Sequence, residues 1–312
     1  MQHDTIVRSR SDAPDDAPLD PATVAQYRRD GYLPARRAMS AVEAARLRAT
    51  VEALEAGHAA GAGGRGLAQY FRVNGQLVIP LLADVARTPA VLDAVESLLG
   101  PDLLVWSVEL FVKEPGSAKT VSWHQDITYW GMGETDDEVT AWIALTDVSV
   151  EAGCMRFLPG SHAGGIVAHE DTFEADNLLS RGQEITGIDE ARAVHAPLAP
   201  GEMSLHHGRC FHASGANGSA DRRIGVAIRY VTPGAREGAP EGAAEGVPGR
   251  DYAMLVRGED RVGTWINVAP PRGLFHPADL ARYERVLADQ SAVLSAGAEG
   301  NVALYATGEA GP

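Results

Sequence analysis

Apolar residues change their spacing near the first third of the chain. Before Pro101 they recur at helical intervals. Asp20-Pro21 reads as a cap with proline in the first turn, and Val24 and Tyr27 carry a short helix that Gly31 ends. Ser40 opens a second helix to about Glu55, with Val42, Ala45, Leu47, Val51 and Leu54 as its apolar stripe. A third is predicted near Pro89–Leu99. After Pro101 the period shortens to two. Leu103–Lys113, Thr120–Asp126, Val139–Thr146, Met155–Leu158, Met203–His207 and Arg223–Val231 are β-prone runs between Gly, Pro and Asp turns, which predicts a sandwich or barrel. Pro277–Leu294 reads as a closing helix.

The polar stretches divide the chain. Residues 1–18 mix Asp, Ser, Pro and Arg and read as a disordered start; residues 19–296 form a single domain, and 297–312 a loose tail. Residues 232–250 are rich in Gly, Pro, Ala and Glu and predict a mobile loop or lid. Gly61 to Gly66 spells GxGxxG, but it follows a helix and opens no βαβ unit, so it reads as a loop.

The 312 residues suffice for one large β-rich domain, and a 45% apolar share for a sizeable core. Twenty-seven basic against 42 acidic residues leave a net charge of −15, which argues against a nucleic-acid partner. Cys154 and Cys210 form no CxxC and read as buried thiols. With neither a signal-peptide core nor an apolar run of membrane length, a cytoplasmic protein is expected. Oligomeric state is not legible.

The chemistry gathers around Trp123-His124-Gln125-Asp126. On a strand His124 and Asp126 share a face and offer an imidazole and a carboxylate to one point. Two histidines and one carboxylate form the facial triad of non-haem iron(II) oxygenases, which leaves three positions for co-substrate and O2. The stretch MSLHHGRCFHASGAN (203–217) supplies three candidates for the third ligand: His206, His207 and His212. On the following strand Arg223, Gly225, Ala227 and Arg229 share one face. An arginine among small residues needs an anionic partner, which a dicarboxylate would supply in bidentate fashion. In Thr140-Ala141-Trp142-Ile143-Ala144-Leu145, Trp142 faces with Thr140 and Ala144.

WHQD, TAWIALTD, GCMRFLPGSH and HASGAN with Arg223 eleven residues beyond His212, together with the opening YRRDGYLPARRAMSAVEAARLR, resemble the phytanoyl-CoA dioxygenase family over roughly residues 22–231. The resemblance implies a mainly β fold with helical additions, a double-stranded β-helix or jelly roll of cupin type. It implies Fe(II) held by His124, Asp126 and His212, with no catalytic residue beyond these ligands. It implies 2-oxoglutarate and O2 as co-substrates, with Arg223, Ser214 and Trp142 around the 2-oxoglutarate. His206 and His207 then pack or hydrogen bond beside the site. Family members that halogenate replace the carboxylate ligand with Gly or Ala; Asp126 therefore favours hydroxylation of a small polar metabolite or natural-product intermediate. Desaturation, epimerisation or ring formation would use the same site. A metal-dependent cupin isomerase or hydrolase, and a non-catalytic binding protein, are the readings from other classes.

Weaker signals remain. Arg229 and Arg257 are candidate substrate contacts, while alternation turns Arg222 the other way. Pro159-Gly160-Ser161-His162 reads as a structural turn.

Overall fold

A computed structural model describes residues 12–15, 17–130, 132–171, 178, 183–236 and 251–295. The expected disordered start and lid fall largely outside the described residues, and the tail after 296 wholly so. The described part of that start is tied down: Asp15 exchanges hydrogen bonds with the Arg37 backbone.

The chain opens with α1 (Pro21–Asp30), β1 (Tyr32–Arg37), α2 (Ala41–His58), α3 (Leu67–Arg72), α4 (Pro80–Val85) and α5 (Pro89–Leu99). Strands β2 (Leu103–Lys113), β3 (Val121–His124), β4 (Glu138–Ala144) and β5 (Met155–Phe157) follow. Next come the two-residue β6 (Glu170–Asp171) and β7 (Gln183–Glu184), then β8 (Val194–Ala196), β9 (Glu202–His207) and β10 (His212–Ser214). Strands β11 (Arg223–Val231), β12 (Asp251–Arg257) and β13 (Trp265–Asn267) precede α6 (Pro277–Ser295).

Local chemistry sets the helix ends. Asp20 accepts from the Thr23 amide at 2.8 Å, and Gly31 ends α1 at φ 78°, a conformation natural to glycine. Ser40 and Glu43 form a reciprocal capping box on α2. The stripe of α2 is shifted from the expected one. Ala44 and Val51 are buried, Leu47 and Leu54 pack against the core, and Val42 points to solvent. Helices α3 and α4 each span six residues, too short for a periodic signal.

Strands β1-β9-β4-β11-β2-β12-β13 form a seven-stranded sheet, and β3-β10-β5-β8 a four-stranded one. This is the cupin-like jelly roll with helical additions. The larger sheet's outer face is apolar: Val108, Leu110, Ile143, Ile224, Val226 and Ile228 are buried in one cluster with residues of the helices. Cross-strand register puts Arg223, Gly225, Ala227 and Arg229 of β11 on the opposite, inner face, with Thr140 and Trp142 of β4 beside them. Arg222 turns outward, to Glu55 and Glu114.

One irregularity matters for the site. Ser107 pairs with Arg229 and Val105 with Tyr230, so Trp106 is an extra residue that bulges from β2. Gln76, 1% exposed, satisfies the interrupted ladder: its amide donates to the Trp106 carbonyl at 3.1 Å and accepts from the Val108 amide at 2.9 Å. Gln76→Ala orphans two backbone groups and is expected to destabilise the fold by about 1–3 kcal/mol, read from the urea midpoint.

Candidate metal centre and co-substrate site

The two sheets close on Asp126. In the small sheet His124 ends β3 and lies opposite His212 of β10. Alternation predicts Asp126 on that strand, two residues after His124, but it is not there. The strand stops at His124, and Asp126 begins a 3-10 turn whose second residue, Ile127, bonds back to the Gly208 carbonyl. One ligand atom from each of His124, Asp126 and His212 lies within 4.8 Å of the others, and all three residues are buried.

Each histidine has its Nδ1 committed. His124 Nδ1 is 2.8 Å from the Ser122 carbonyl and His212 Nδ1 2.9 Å from the Cys210 carbonyl, so both donate there and present Nε2 lone pairs. Those Nε2 atoms lie 3.6 and 3.8 Å from Asp126 Oδ1. The other carboxylate oxygen is held from the large sheet: Oδ2 accepts from Thr140 Oγ1 at 2.9 Å and from His206 Nε2 at 3.2 Å. Burial would raise the Asp126 carboxyl, but Arg229 and the surrounding histidines outweigh it and hold it well below the usual carboxylate range. Burial, then His124 and His206, push His212 well down, so it is the neutral imidazole a metal requires.

Glu138 completes this layer. Thr140 Oγ1 is 2.9 Å from both Asp126 Oδ2 and Glu138 Oε1, yet a hydroxyl has one proton. Burial, then the Asp126 charge, raise Glu138 well above its ordinary value, so it is the neutral acid and donates to Thr140. Thr140 in turn donates to Asp126.

The other end of the inner face carries two cations. Arg223, 2% exposed, stacks on Trp142, its guanidinium carbon 4.8 Å from the ring. Lys113, fully buried, is its cross-strand partner on β2. Lys113 Nζ donates to Ser214 Oγ at 2.8 Å and to the Gly215 carbonyl at 2.5 Å, and Arg223 Nη1 lies 3.4 Å from Ser214 Oγ. Among the described residues neither cation has a carboxylate partner. Burial, then Arg223, push Lys113 down to about 6, and burial lowers Arg223 to about 10. Between the two ends stand Gly225 and Ala227. A Cβ on Gly225 would meet the Trp142 ring at 2.0 Å, so only glycine lets that ring lie flat.

Seven of the eight site residues expected from sequence gather here, Arg223, Arg229 and Trp142 on the large sheet, His124, His212 and Ser214 on the small one and Asp126 on the turn after β3; Arg257 does not. Its guanidinium is engaged by Asp93 at 2.7 Å and Glu96 at 2.6 Å on α5. His207 contacts Asp136 instead. Lys113 was not anticipated, although Ser107, Glu109 and Lys113 alternate with Val108, Leu110 and Val112 and so mark a polar stripe on a buried strand.

The donor set and the two buried basic groups fit a metal and a dicarboxylate. Neutral Nε2 donors and one carboxylate oxygen suit iron(II), and a carboxylate would relieve Lys113 and Arg223 of an otherwise uncompensated burial. Fold and site together define the class, the non-haem iron(II), 2-oxoglutarate-dependent oxygenases. The family model of phytanoyl-CoA dioxygenase (PhyH) matches residues 27–225, and the chain belongs to that family. It is 30% identical to a probable alpha-ketoglutarate-dependent hypophosphite dioxygenase of Stutzerimonas stutzeri, over 66% of this chain and 76% of that one. It is 30% identical to the L-proline trans-4-hydroxylase of Streptomyces griseoviridis, over 69% and 87%. The solved non-heme monooxygenase ThoJ superposes with a TM-score of 0.74 at 34% identity, over 88% of this chain and 97% of that one. The chain spans about half the length of the curated phytanoyl-CoA dioxygenases it matches. No helix among the described residues is long and apolar enough to cross a membrane.

Gly225→Ala should displace Trp142 from Arg223 and weaken 2-oxoglutarate binding by about tenfold or more, while iron binding holds. Titration of each into the apoprotein checks both.

Proposed function

We propose that the chain hydroxylates an aliphatic C–H bond of a small polar metabolite or natural-product intermediate. The observation that carries the site assignment is the pair of buried basic groups, Lys113 and Arg223, that have no carboxylate partner among the described residues, in the same interior as the triad. In this reading His124 Nε2, His212 Nε2 and Asp126 Oδ1 hold iron(II). When bound, iron and 2-oxoglutarate supply an O2-driven oxidation that releases succinate and CO2. The chain's own groups orient and exclude. Thr140 and His206 occupy Asp126 Oδ2 and leave Oδ1 to face the histidines. Arg223, Lys113 and Ser214 take the far carboxylate of 2-oxoglutarate, with Trp142 as the wall behind Arg223. Burial of these groups keeps bulk water away. Arg229, on the same inner face, lies toward the substrate. Retention of Asp126 supports hydroxylation over halogenation, and the L-proline hydroxylase relative accords with a small polar substrate.

His124→Ala and Asp126→Ala are expected to lose tight iron binding and the visible charge-transfer band of the anaerobic iron–2-oxoglutarate complex. Arg223→Ala and Lys113→Met should keep the iron and weaken 2-oxoglutarate. Unchanged bands in the triad variants would refute the assignment.

Lys113 adds a pH signature. Folding lowers its value from 10.5 to about 6, so between those limits the unfolded chain binds the extra proton. Stability of the apoprotein should therefore rise with pH across that window. A bound carboxylate favours the charged amine, so 2-oxoglutarate affinity should fall as pH rises from 6. Calorimetry at neutral pH in buffers of different ionisation enthalpy should reveal proton uptake on binding, and its loss in Lys113→Met.

A further inference from the structure

Beside the triad, away from Lys113 and Arg223, the inner face carries a second charged pair, Arg229 and Glu109. Arg229 Nη2 lies 3.7 Å from Asp126 Oδ1, and Arg229 Nη1 lies 3.3 Å from Glu109 Oε2. Ion pairs in this chain include Arg257–Glu96 at 2.6 Å and Arg36–Asp15 at 3.9 Å, and Arg229–Glu109 lies between them. Glu109 Oε1 receives only a 3.2 Å contact from Ser107. Arg229 thus stands between Asp126 of the triad and Glu109. Its surroundings are aromatic. Arg229 lies over Trp130, 5.0 Å from the ring centre, and Trp130 packs on Trp106 with centroids 4.6 Å apart. Trp123, Trp142 and Trp265 are 5, 3 and 2% exposed, whereas Trp106 and Trp130 are the two tryptophans left partly open. Trp106 comes forward through the β2 bulge and is fixed by its Nε1 donating to Asp251 at 2.7 Å.

This wall discriminates by charge. A plain carboxylic acid would gain Arg229 but face Glu109 and Asp126, and a plain amine would meet the reverse. A dipolar group with an oxygen acceptor beside an N–H donor satisfies both. We propose that Glu109 and Arg229 are specificity-determining residues that clamp the main-chain group of an amino-acid unit, its oxygen on Arg229 and its nitrogen on Glu109, with Trp106 and Trp130 against its side chain. The assignment rests on the oxygenase reading above and narrows its substrate class. A free amino acid and a residue within a peptide share this chemistry, and the test separates them.

Protein loaded anaerobically with iron(II) and 2-oxoglutarate is titrated with the twenty L-amino acids and, separately, with their N-acetyl methylamides. Tryptophan fluorescence and perturbation of the visible band report binding; propionate and propylamine are the half-ligand controls. At least one member of one set should saturate, more tightly than either control, and the set that binds identifies the source. Glu109→Gln, nearly isosteric, should weaken that binding about tenfold or more while the iron–2-oxoglutarate band forms as in the wild type. If the band forms and neither set binds, or Glu109→Gln binds equally well, the clamp is wrong and the oxygenase reading stands. If the band itself does not form, it is the oxygenase reading that fails.

Discussion

The structure turns on the two oxygens of one buried carboxylate. Asp126 stays ionised out of water because Arg229 and three histidines surround it, and its oxygens are divided between the sheets. Oδ2 is taken by Thr140 and His206 of the large sheet, while Oδ1 faces His124 and His212 of the small one. The carboxylate thereby locks the sheets in register and leaves a single oxygen with the two imidazoles. The neutral Glu138 behind Thr140 settles which way the hydroxyl proton points.

Strand alternation makes such a polar interior affordable. Every second residue of β11 enters the apolar layer beneath the helices, so Ile224, Val226, Ile228 and Tyr230 stabilise the strand while Arg223 and Arg229 face inward. Burying Lys113 and Arg223 side by side opposes folding by several kcal/mol unless an anion arrives. The fold holds this strain at a site a dicarboxylate relieves, so co-substrate binding and stability are linked. The bulge at Trp106 is a second local irregularity, carried by Gln76, and it brings an aromatic ring to the mouth of the same face.

Much of this was legible in the chain. Capped helices announce themselves through Asp20-Pro21, Ser40 and Pro89, and α5 spans the residues that its pattern predicts. The bounds of β2 and β11 likewise follow from alternation. The apolar phase of α2 misled because alanines sit on both its faces. Strands β8, β10 and β13 have three residues each, too few for alternation to show, and β12 pairs with the sequence-remote β2. Lys113 went unnoticed because a lysine at a strand end is ordinarily solvated, and only the pairing of β2 with β11 sets it beside Arg223. Arg257 was over-read: its partners Asp93 and Glu96 lie more than 160 residues away, and no local pattern reveals them.

The sequence by itself determined the chemistry on offer: which side chains are donors, which strands are two-faced, and where glycine must stand. Those properties depend on residue type and on neighbours within a few positions. Tertiary structure alone decided the convergence. It brought His212 up to His124 and Asp126, turned Asp126 off its strand, matched Lys113 to Arg223, and set Glu109 beside Arg229. Each is a distance between residues apart in sequence, set by strand register and the packing of two sheets, and register is a property of the whole sheet.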